Sequence, residues 1–538
     1  MSEFFDIEDV GGAESCYSAE SAAFHLDCAS NEDNGLVEYL LPTEGGQIDA
    51  AGLLECTAGI DPTLTQGEIE LYGNPATAVH GDRSETVSSR VQFPQEQPFA
   101  LDSVFDGSSK DKRLLTPDVK CLLRNYAENV LPIFGHVGFM DTPWARLHLP
   151  RALQCITELE VLGRSPESRQ ALLYTALCVS AYNQYNTCSS EAQDVQDHKW
   201  LDIAASYKGR ALQALETSLR ESTLDFAKSD FGEILGAMLA MVTIGIISGD
   251  MGTCELHLQA CESLIQDRLL RRGEENFDII RGLFTVFLYV RTIQEATKLY
   301  CEQSPEISPP GSQQANKISL DELVDLFTPQ KGQPKFSWWS CELIYGFPPS
   351  LLLLLKRATG LLQATCQHNG DHPGGFLNDS VEAALNKLED EVLHWPVDDI
   401  VNDLGNAPVS PEKILIMQHS TRVFHQALIL FCCRKIRNVH PKVVEPHVRS
   451  LIFRLEQIET FKEKAGIRTG HMLWPAFVAG SQTTVPDLQA RFLRWFAMVN
   501  KAGQRSSNIS KEVLVDIWRC NSNNLQRSVL STVQLVLT

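Results

Sequence analysis

The segment from Tyr345 to Ala358, YGFPPSLLLLLKRA, constrains the fold of this chain more than any other stretch. Gly346 and the pair Pro348-Pro349 end whatever element precedes them, because proline cannot sit inside a helix and glycine tolerates turn geometry. Ser350 can cap a new helix by accepting a hydrogen bond from a free backbone N–H. Leu351 to Leu355 then cover every side of that helix, so we expect it to be buried all round. The sequence therefore predicts a core helix with a sharp start.

Helical signals recur along the chain after residue 115. Thr116 is a good N-cap, Pro117 fits the first helical position, and Asp118 complements the helix dipole. Pro132 is expected to end this helix. Its predicted buried face has helical spacing and comprises Val119, Leu122, Leu123, Tyr126 and Val130.

Similar patterns predict helices over most of the remaining chain. They are expected at 165–185, 200–217, 231–247, 254–270, 275–301, 318–327, 350–368, 379–394, 411–437, 444–464, 485–502 and 510–520. On the helix 254–270 we expect Leu256, Ala260 and Leu264 to share one side. Loops are predicted at 304–314, 330–335 and 368–375. Alternating apolar and polar residues are rare, so strands should be scarce. The predicted fold is all-α: residues 111–538 form one large domain of packed antiparallel helices.

Residues 1–110 form a separate, acidic arm that we expect to be largely disordered. This arm carries about 21 acidic and about three basic side chains, so about −18 of the whole-chain charge of −22 lies there. Aromatic and aliphatic residues are set among the acids at 4–10, 37–41 and 101–106. Two interpretations stay open: activation segments that offer apolar groups to a coactivator groove, or a solubilising tail.

The charge argues against DNA binding by this chain alone, because DNA affinity depends on Lys and Arg displacing phosphate counterions. Basic clusters are short: 110–113 is one, and Arg268 with Arg271-Arg272 is another. Both are expected to be solvated faces or loops, and the first could alternatively serve as a weak nuclear-import patch.

The 15 cysteines lack the spacing of a metal site or a disulfide framework. A binuclear zinc cluster needs pairs spaced C-x2-C, and Cys16, Cys28 and Cys56 are separated by 12 and 28 residues. We expect buried free thiols at Cys121, Cys155, Cys178, Cys432 and Cys433. His368 and His372 are expected to lie in a surface loop and to bind no metal. The sequence therefore predicts neither a metal nor another cofactor.

No enzyme motif is present in the printed sequence: it contains no G-x-G-x-x-G, no phosphate loop and no G-x-S-x-G elbow. His257 is expected to be a partly buried helix residue and not a general base. We therefore predict a protein that is not an enzyme and name no catalytic residue, although an active site assembled from distant residues stays open. The apolar run 234–247 is short for a membrane span and predicts a buried helix. The first ten residues lack the features of a signal peptide, and no membrane association is expected.

Six segments occur in the order of one known family. The first is Pro143-Trp144 with 149–152, and the second is 178–182. The others are 207–215, then 248–250 with His257-Leu258, then 345–352, and finally 473–480 followed by Ile517-Trp518. Together they resemble the fungal-specific transcription factor domain, over roughly residues 115–525, as found in regulators of the arginine-catabolism and acriflavine-sensitivity-control type. Two departures are Cys254, where the family usually has tryptophan, and the missing zinc cluster that normally precedes the domain.

The resemblance implies a transcriptional regulator in a fungal nucleus, with the helical domain receiving a signal or partner. We expect it to control a metabolic pathway or a secondary-metabolite biosynthetic gene cluster, as an activator. The alternative is a scaffold or cofactor that does not bind DNA and acts through a partner zinc-cluster transcription factor. Expected partners are a coactivator or the transcription machinery at the acidic arm, and a zinc-cluster factor or a second copy of the chain. No DNA-binding residue can be named.

Overall fold

The computed structural model describes residues 114–188, 194–224, 231–271, 277–301, 336–371 and 379–522. The acidic arm, the predicted helix 318–327, the predicted loops 304–314 and 330–335, and His372 lie outside the described residues. So do the side chains of both basic clusters. Within the described ranges the chain is helical and contains no strand, which confirms the all-α prediction.

Sixteen α-helices make up the described part of the chain. In chain order they are α1 Pro117–Asn125, α2 Leu149–Leu162, α3 Glu167–Thr187, α4 Asp194–Leu224, α5 Phe231–Ser248, α6 Cys254–Arg271, α7 Phe277–Cys301, α8 Cys341–Tyr345, α9 Pro349–Asp371, α10 Asp379–Leu393, α11 Val397–Leu404, α12 Pro411–Phe431, α13 Pro441–Ala465, α14 Leu473–Gly480, α15 Pro486–Val499 and α16 Arg505–Ser522. Short π-helical turns at 126–130, 144–148 and 432–436 extend or introduce neighbouring helices.

The start of α1 has the predicted cap. The Thr116 hydroxyl oxygen accepts a hydrogen bond from the Val119 backbone N–H at 3.3 Å, and Pro117 occupies the first turn. The whole predicted face is buried. Pro132 does not end the helix as predicted, because the chain continues through a π-helical turn into a 3-10 turn at 131–134. There Pro132 occupies the first turn, where its missing N–H leaves no bond unmade.

Three helices form the first half of the core. α3 and α4 are antiparallel neighbours, since Tyr174 stacks on Tyr207 and the Cys178 thiol donates to the Ala204 carbonyl. α3 and α5 run parallel: Ser168 bonds Glu233 near their starts, and Asn186 bonds the Ile247 carbonyl near their ends. The two helices are parallel because α4, which lies between them in the sequence, runs in the opposite direction and brings the chain back to the start of α3. The predicted antiparallel arrangement thus holds for α3 with α4 but not for α3 with α5.

α5 is the one described helix long and apolar enough to cross a membrane by length and composition. Every residue from Phe231 to Ile247 is buried in the protein. Burial against other helices accounts for this composition, as the sequence predicted.

The leucine helix α9 begins at Pro349, three residues after Gly346, which adopts a left-handed φ of +81°. Ser350 therefore lies inside the first turn of α9 and is not its N-cap as predicted. Leu351, Leu352 and Leu355 are fully buried, and Leu354 is 9% exposed. Leu353 is only partly buried, so the helix is not enclosed on all sides as predicted. α9 also extends to Asp371, so the first four residues of the predicted loop 368–375 are helical.

Two further predictions about buried faces are wrong. On α6 the buried apolar residues are Cys254, Leu258, Cys261 and Ile265, whereas Leu256 is 40% exposed and Ala260 and Leu264 are partly buried. Cys121 is exposed, because the buried face of α1 passes through Leu122. On α6 two neighbouring rows of apolar residues compete, and tertiary packing selects one of them.

Candidate functional site

A surface cavity of about 540 Å³ lies beside the leucine helix. It is formed by α9, by the end of α10 and by the turn that leads into α11. The lining residues are Ser350, Leu353, Leu354, Arg357, Asp390, Glu391, His394, Trp395 and Pro396. The partial exposure of Leu353 is explained by this cavity, whose wall it forms.

The cavity combines an apolar wall with charged groups. Arg357 pairs with Glu391, and His394 Nδ1 lies 2.9 Å from Asp390 Oδ1. Trp395 is buried and tilts over the His425 ring at a centroid distance of 5.2 Å. The cavity is largely open to solvent, so it could contact only part of a small organic molecule, through its apolar wall and a few polar groups.

The tightest histidine contacts elsewhere connect helices. The Tyr126 hydroxyl lies 2.5 Å from His148 Nδ1, and His148 Nε2 lies 2.7 Å from the Leu172 carbonyl oxygen. Since the carbonyl can only accept, Nε2 carries the proton and Nδ1 accepts from Tyr126. Burial lowers the pKa of His148 to about 4 and raises the pKa of Tyr126. A neutral, fully bonded histidine ties α1, α2 and α3 together.

His257 lies on α6 and is buried, more completely than predicted. Burial, with a smaller effect of the Lys208 charge, lowers its pKa to about 4. The side chain thus stays neutral near pH 7 inside the helix packing. This environment supports the interpretation of His257 as a structural helix residue.

A buried charged cluster holds the segment between α13 and α14. Lys462 Nζ donates to Glu459 Oε1 at 3.0 Å and to the Gly470 carbonyl at 2.8 Å. His471 Nδ1 lies 3.1 Å from the same Glu459 oxygen. Burial alone would raise the pKa of Glu459, but Lys462 and His471 outweigh it and lower the pKa to about 2. Gly470 in turn donates its N–H to the Gly135 carbonyl at 2.7 Å, so the cluster joins two distant parts of the chain.

Neither metal binding nor thiol chemistry is indicated in the described ranges. No group of three or more His, Cys, Asp or Glu side chains there could hold a metal ion. The described cysteines are free, and Cys155, Cys178 and Cys432 are buried as predicted, while Cys433 is partly buried. Burial raises the pKa of the Cys155 thiol to about 12, and it also raises the pKa of Cys178 and Cys432. These protonated thiols are poor nucleophiles and poor ligands.

Family-like segments meet at the turn between α5 and α6. Lys208 Nζ, from the 207–215 segment, donates to Asp250 Oδ2 at 2.9 Å. Asn186 Nδ2 donates to the Ile247 carbonyl at 2.7 Å and to the Gly503 carbonyl at 2.9 Å. Gly245 allows the close approach, because a Cβ there would lie 2.4 Å from Cys254 Sγ and 2.8 Å from the Asp250 carbonyl oxygen. The small side chain of Cys254 thus packs against α5 where the family usually has tryptophan.

The segments 345–352 and 473–480 meet in one aromatic core. The Tyr345 ring stacks on Tyr289 at 3.8 Å, and Phe347 stacks on Phe424 at 3.9 Å. Phe424 also contacts the fully buried Trp474, with ring centroids 5.2 Å apart. Trp474 and the residues that introduce the leucine helix therefore share a core.

Sequence reasoning did not identify the cavity. Its charged residues lie on α9 and α10, and no motif connects positions 350–357 with positions 390–396. One local signal was present, since Asp390 and His394 are spaced i,i+4 immediately before Trp395-Pro396. Such spacing is common on solvent-facing helices and indicates no ligand by itself.

Comparison with known proteins identifies the class of protein that this helical architecture belongs to. A model of the fungal specific transcription factor domain matches residues 121–530, so the chain belongs to that family. The match spans all six segments on which the resemblance rests, from Pro143 to Trp518.

A curated relative is arginine metabolism regulation protein II of Saccharomyces cerevisiae (strain ATCC 204508 / S288c). It is 22% identical over 473 residues, which cover 74% of this chain and 52% of the relative. The chain thus spans about half the length of that relative. No solved structure matches the chain.

Proposed function

We propose that this protein regulates transcription of a metabolic pathway or a secondary-metabolite biosynthetic gene cluster in the fungal nucleus. The family match over residues 121–530 carries this proposal. The name of the relative, a regulator of arginine metabolism, supports a metabolic target. The helical body would receive a regulatory signal, and the cavity beside α9 is the candidate place for a small-molecule signal.

Activation would be the task of the acidic arm. Residues 1–110 mix carboxylates with aromatic and aliphatic groups, a composition typical of segments that bind coactivators. The described body instead places most of its aromatic residues in the core. A coactivator or the transcription machinery is therefore the proposed partner of the arm.

A second candidate function is a scaffold that reaches DNA through a partner zinc-cluster factor. The observation that favours it is the net charge of −22, which disfavours contact with the phosphate backbone of DNA. Both candidates make the chain a regulator that needs no catalytic residue of its own.

A reporter experiment tests the regulatory function. The full chain, and residues 1–110 alone, are fused to a foreign DNA-binding domain in a fungal host. We expect both fusions to activate the reporter. Replacing Phe4, Phe5, Tyr39, Leu40 and Phe105 with Ala should weaken activation, while the matched replacement of Ser18, Ser21, Ser88, Ser89 and Ser108 should not. Well-expressed fusions that leave the reporter silent would contradict activation by this chain.

A further inference from the structure

Two arginines face each other across the seam between α12 and α13. The helices are antiparallel: the His419 ring packs on Phe461 at 5.3 Å, and Gln426 Nε2 donates to Ser450 Oγ at 2.8 Å. Arg422 and Arg454 lie between these two contacts, on the facing sides of the seam. Like charges in such a position repel each other, so the pair needs a counter-charge.

Among the residues that the structure describes, Asp398 is the carboxylate that pairs with this arginine couple. Arg422 Nη1 lies 2.7 Å from Asp398 Oδ1, but the Asp398 side chain is 77% exposed and its charge is strongly hydrated. Arg454 Nε and His419 Nδ1 are buried atoms without a hydrogen-bond partner in the described part of the chain. Burial and the nearby charge of Arg422 lower the pKa of Arg454. A buried N–H group of a cation that lacks a hydrogen-bond acceptor costs more free energy than an N–H group that faces water.

We propose that Arg422 and Arg454 form a binding site for an oxyanion, the carboxylate or phosphate group of a small ligand. A guanidinium group presents a rigid fork of donors that matches either oxyanion, and two facing forks can hold one group between them. The bound anion would neutralise the repulsion and satisfy Arg454 Nε. The net charge of −22 disfavours non-specific anion binding, so saturable binding would point to a local site. The site does not depend on the proposed regulatory function.

Titration of the full chain with inorganic phosphate and, separately, with succinate tests the site. Ionic strength is held constant with sodium chloride, and binding is measured by isothermal calorimetry and by the melting temperature. We expect saturable binding of at least one probe and a rise in melting temperature with its concentration. Binding of phosphate alone assigns a phosphate ligand, binding of succinate alone assigns a carboxylate, and binding of both assigns a general oxyanion site.

Variants decide whether these residues carry the binding. Arg422→Gln and Arg454→Gln should each weaken it about tenfold or more, since each removes charged hydrogen bonds. Arg449→Gln is the matched control, because Arg449 lies on α13 like Arg454, is 50% exposed and pairs with Glu445. Should Arg454→Gln fail to fold, Arg454→Lys keeps the charge, removes the fork and should still weaken binding. Absence of saturable binding by the wild-type chain, or equal weakening by Arg449→Gln, would overturn the proposal.

Discussion

Single residues on the leucine helix differ in what they contribute, although their sequence context is uniform. Leu352 is fully buried, whereas Leu353 lines the cavity and is partly exposed. When a leucine side chain is truncated, the loss of folding free energy grows with the buried apolar surface and packing contacts that are removed. Identical substitutions on adjacent leucines should therefore have unequal effects.

The first prediction concerns these leucines and Trp474. Leu352→Ala should lower the free energy of unfolding by about 2–5 kcal/mol, and Trp474→Ala by about 3–5 kcal/mol, because both leave cavities in a packed core. Leu353→Ala should cost clearly less. Chemical denaturation and melting temperatures provide the measurement. Equal losses for Leu352→Ala and Leu353→Ala would contradict the burial difference.

The second prediction concerns the buried carboxylate of Glu459. Its pKa is lowered to about 2 in the folded protein from an ordinary value of 4.5. A lowered carboxyl pKa gives stability that is present above pH 4.5 and is lost as the pH falls towards 2. We expect Glu459→Gln to melt well below wild type at pH 7, with the difference shrinking across this acidic window.

Glu463→Gln provides the control for that measurement. Glu463 lies on the same helix but is exposed, so its replacement should leave the pH dependence of the melting temperature near that of wild type. A constant difference between wild type and Glu459→Gln from pH 7 to strongly acidic pH would show that the carboxylate is not held ionised by Lys462 and His471.

At the scale of helices, the turn between α5 and α6 sets how closely two elements approach. A Cβ on Gly245 would lie 2.8 Å from the backbone oxygen of Asp250, which cannot move without displacing the turn. Gly209 on α4 is exposed and has open space around it. Replacing each glycine with alanine therefore separates the effect of helix propensity on stability from the effect of packing.

The third prediction follows from that contrast. Gly245→Ala should destabilise the protein, because the gain in helix propensity does not offset a clash with backbone. Gly209→Ala should be neutral or stabilise by up to about 1 kcal/mol, since alanine is the better helix former. Melting temperatures of the two variants check this. An increase for Gly245→Ala would show that the α5–α6 turn can shift at little cost.

Elements with their own local signals could be predicted from the sequence. The cap of α1 at Thr116, the apolar composition of α5 and the start of α9 at the second of two prolines all arise from residues close in the chain. The helices α2, α8, α11 and α14 were not predicted. In α11, Asp398 and Asp399 in the first turn and Val401 and Leu404 on the buried face signal a helix. The buried side of α6 could not be chosen, because the close contact of Cys254 with Gly245 selects it. The cavity and the facing arginines likewise depend on which helices become neighbours.

At the scale of the whole molecule, charge is divided unevenly along the chain. About −18 of the net −22 lies in residues 1–110, so residues 111–538 carry only about −4. Many basic side chains of the described body are engaged by carboxylates: Arg291, for example, pairs with Glu255, Glu262 and Glu295, and Lys356 pairs with Glu295. Such pairing reduces the free positive charge that a phosphate backbone could meet.

The last prediction is that residues 1–538 bind duplex DNA no more tightly than an acidic protein of similar charge. Sequence-specific readers anchor themselves on phosphates with several Lys and Arg contacts, and each contact steepens the salt dependence of binding. Anisotropy titration at low salt, with random and promoter-derived duplexes, provides the measurement. A matched chain with a foreign zinc-cluster domain added at the N-terminus should bind its own site and so control for the folded state of the body. Tight, sequence-dependent binding by residues 1–538 alone would contradict the prediction, and it would favour direct regulation over action through a partner factor.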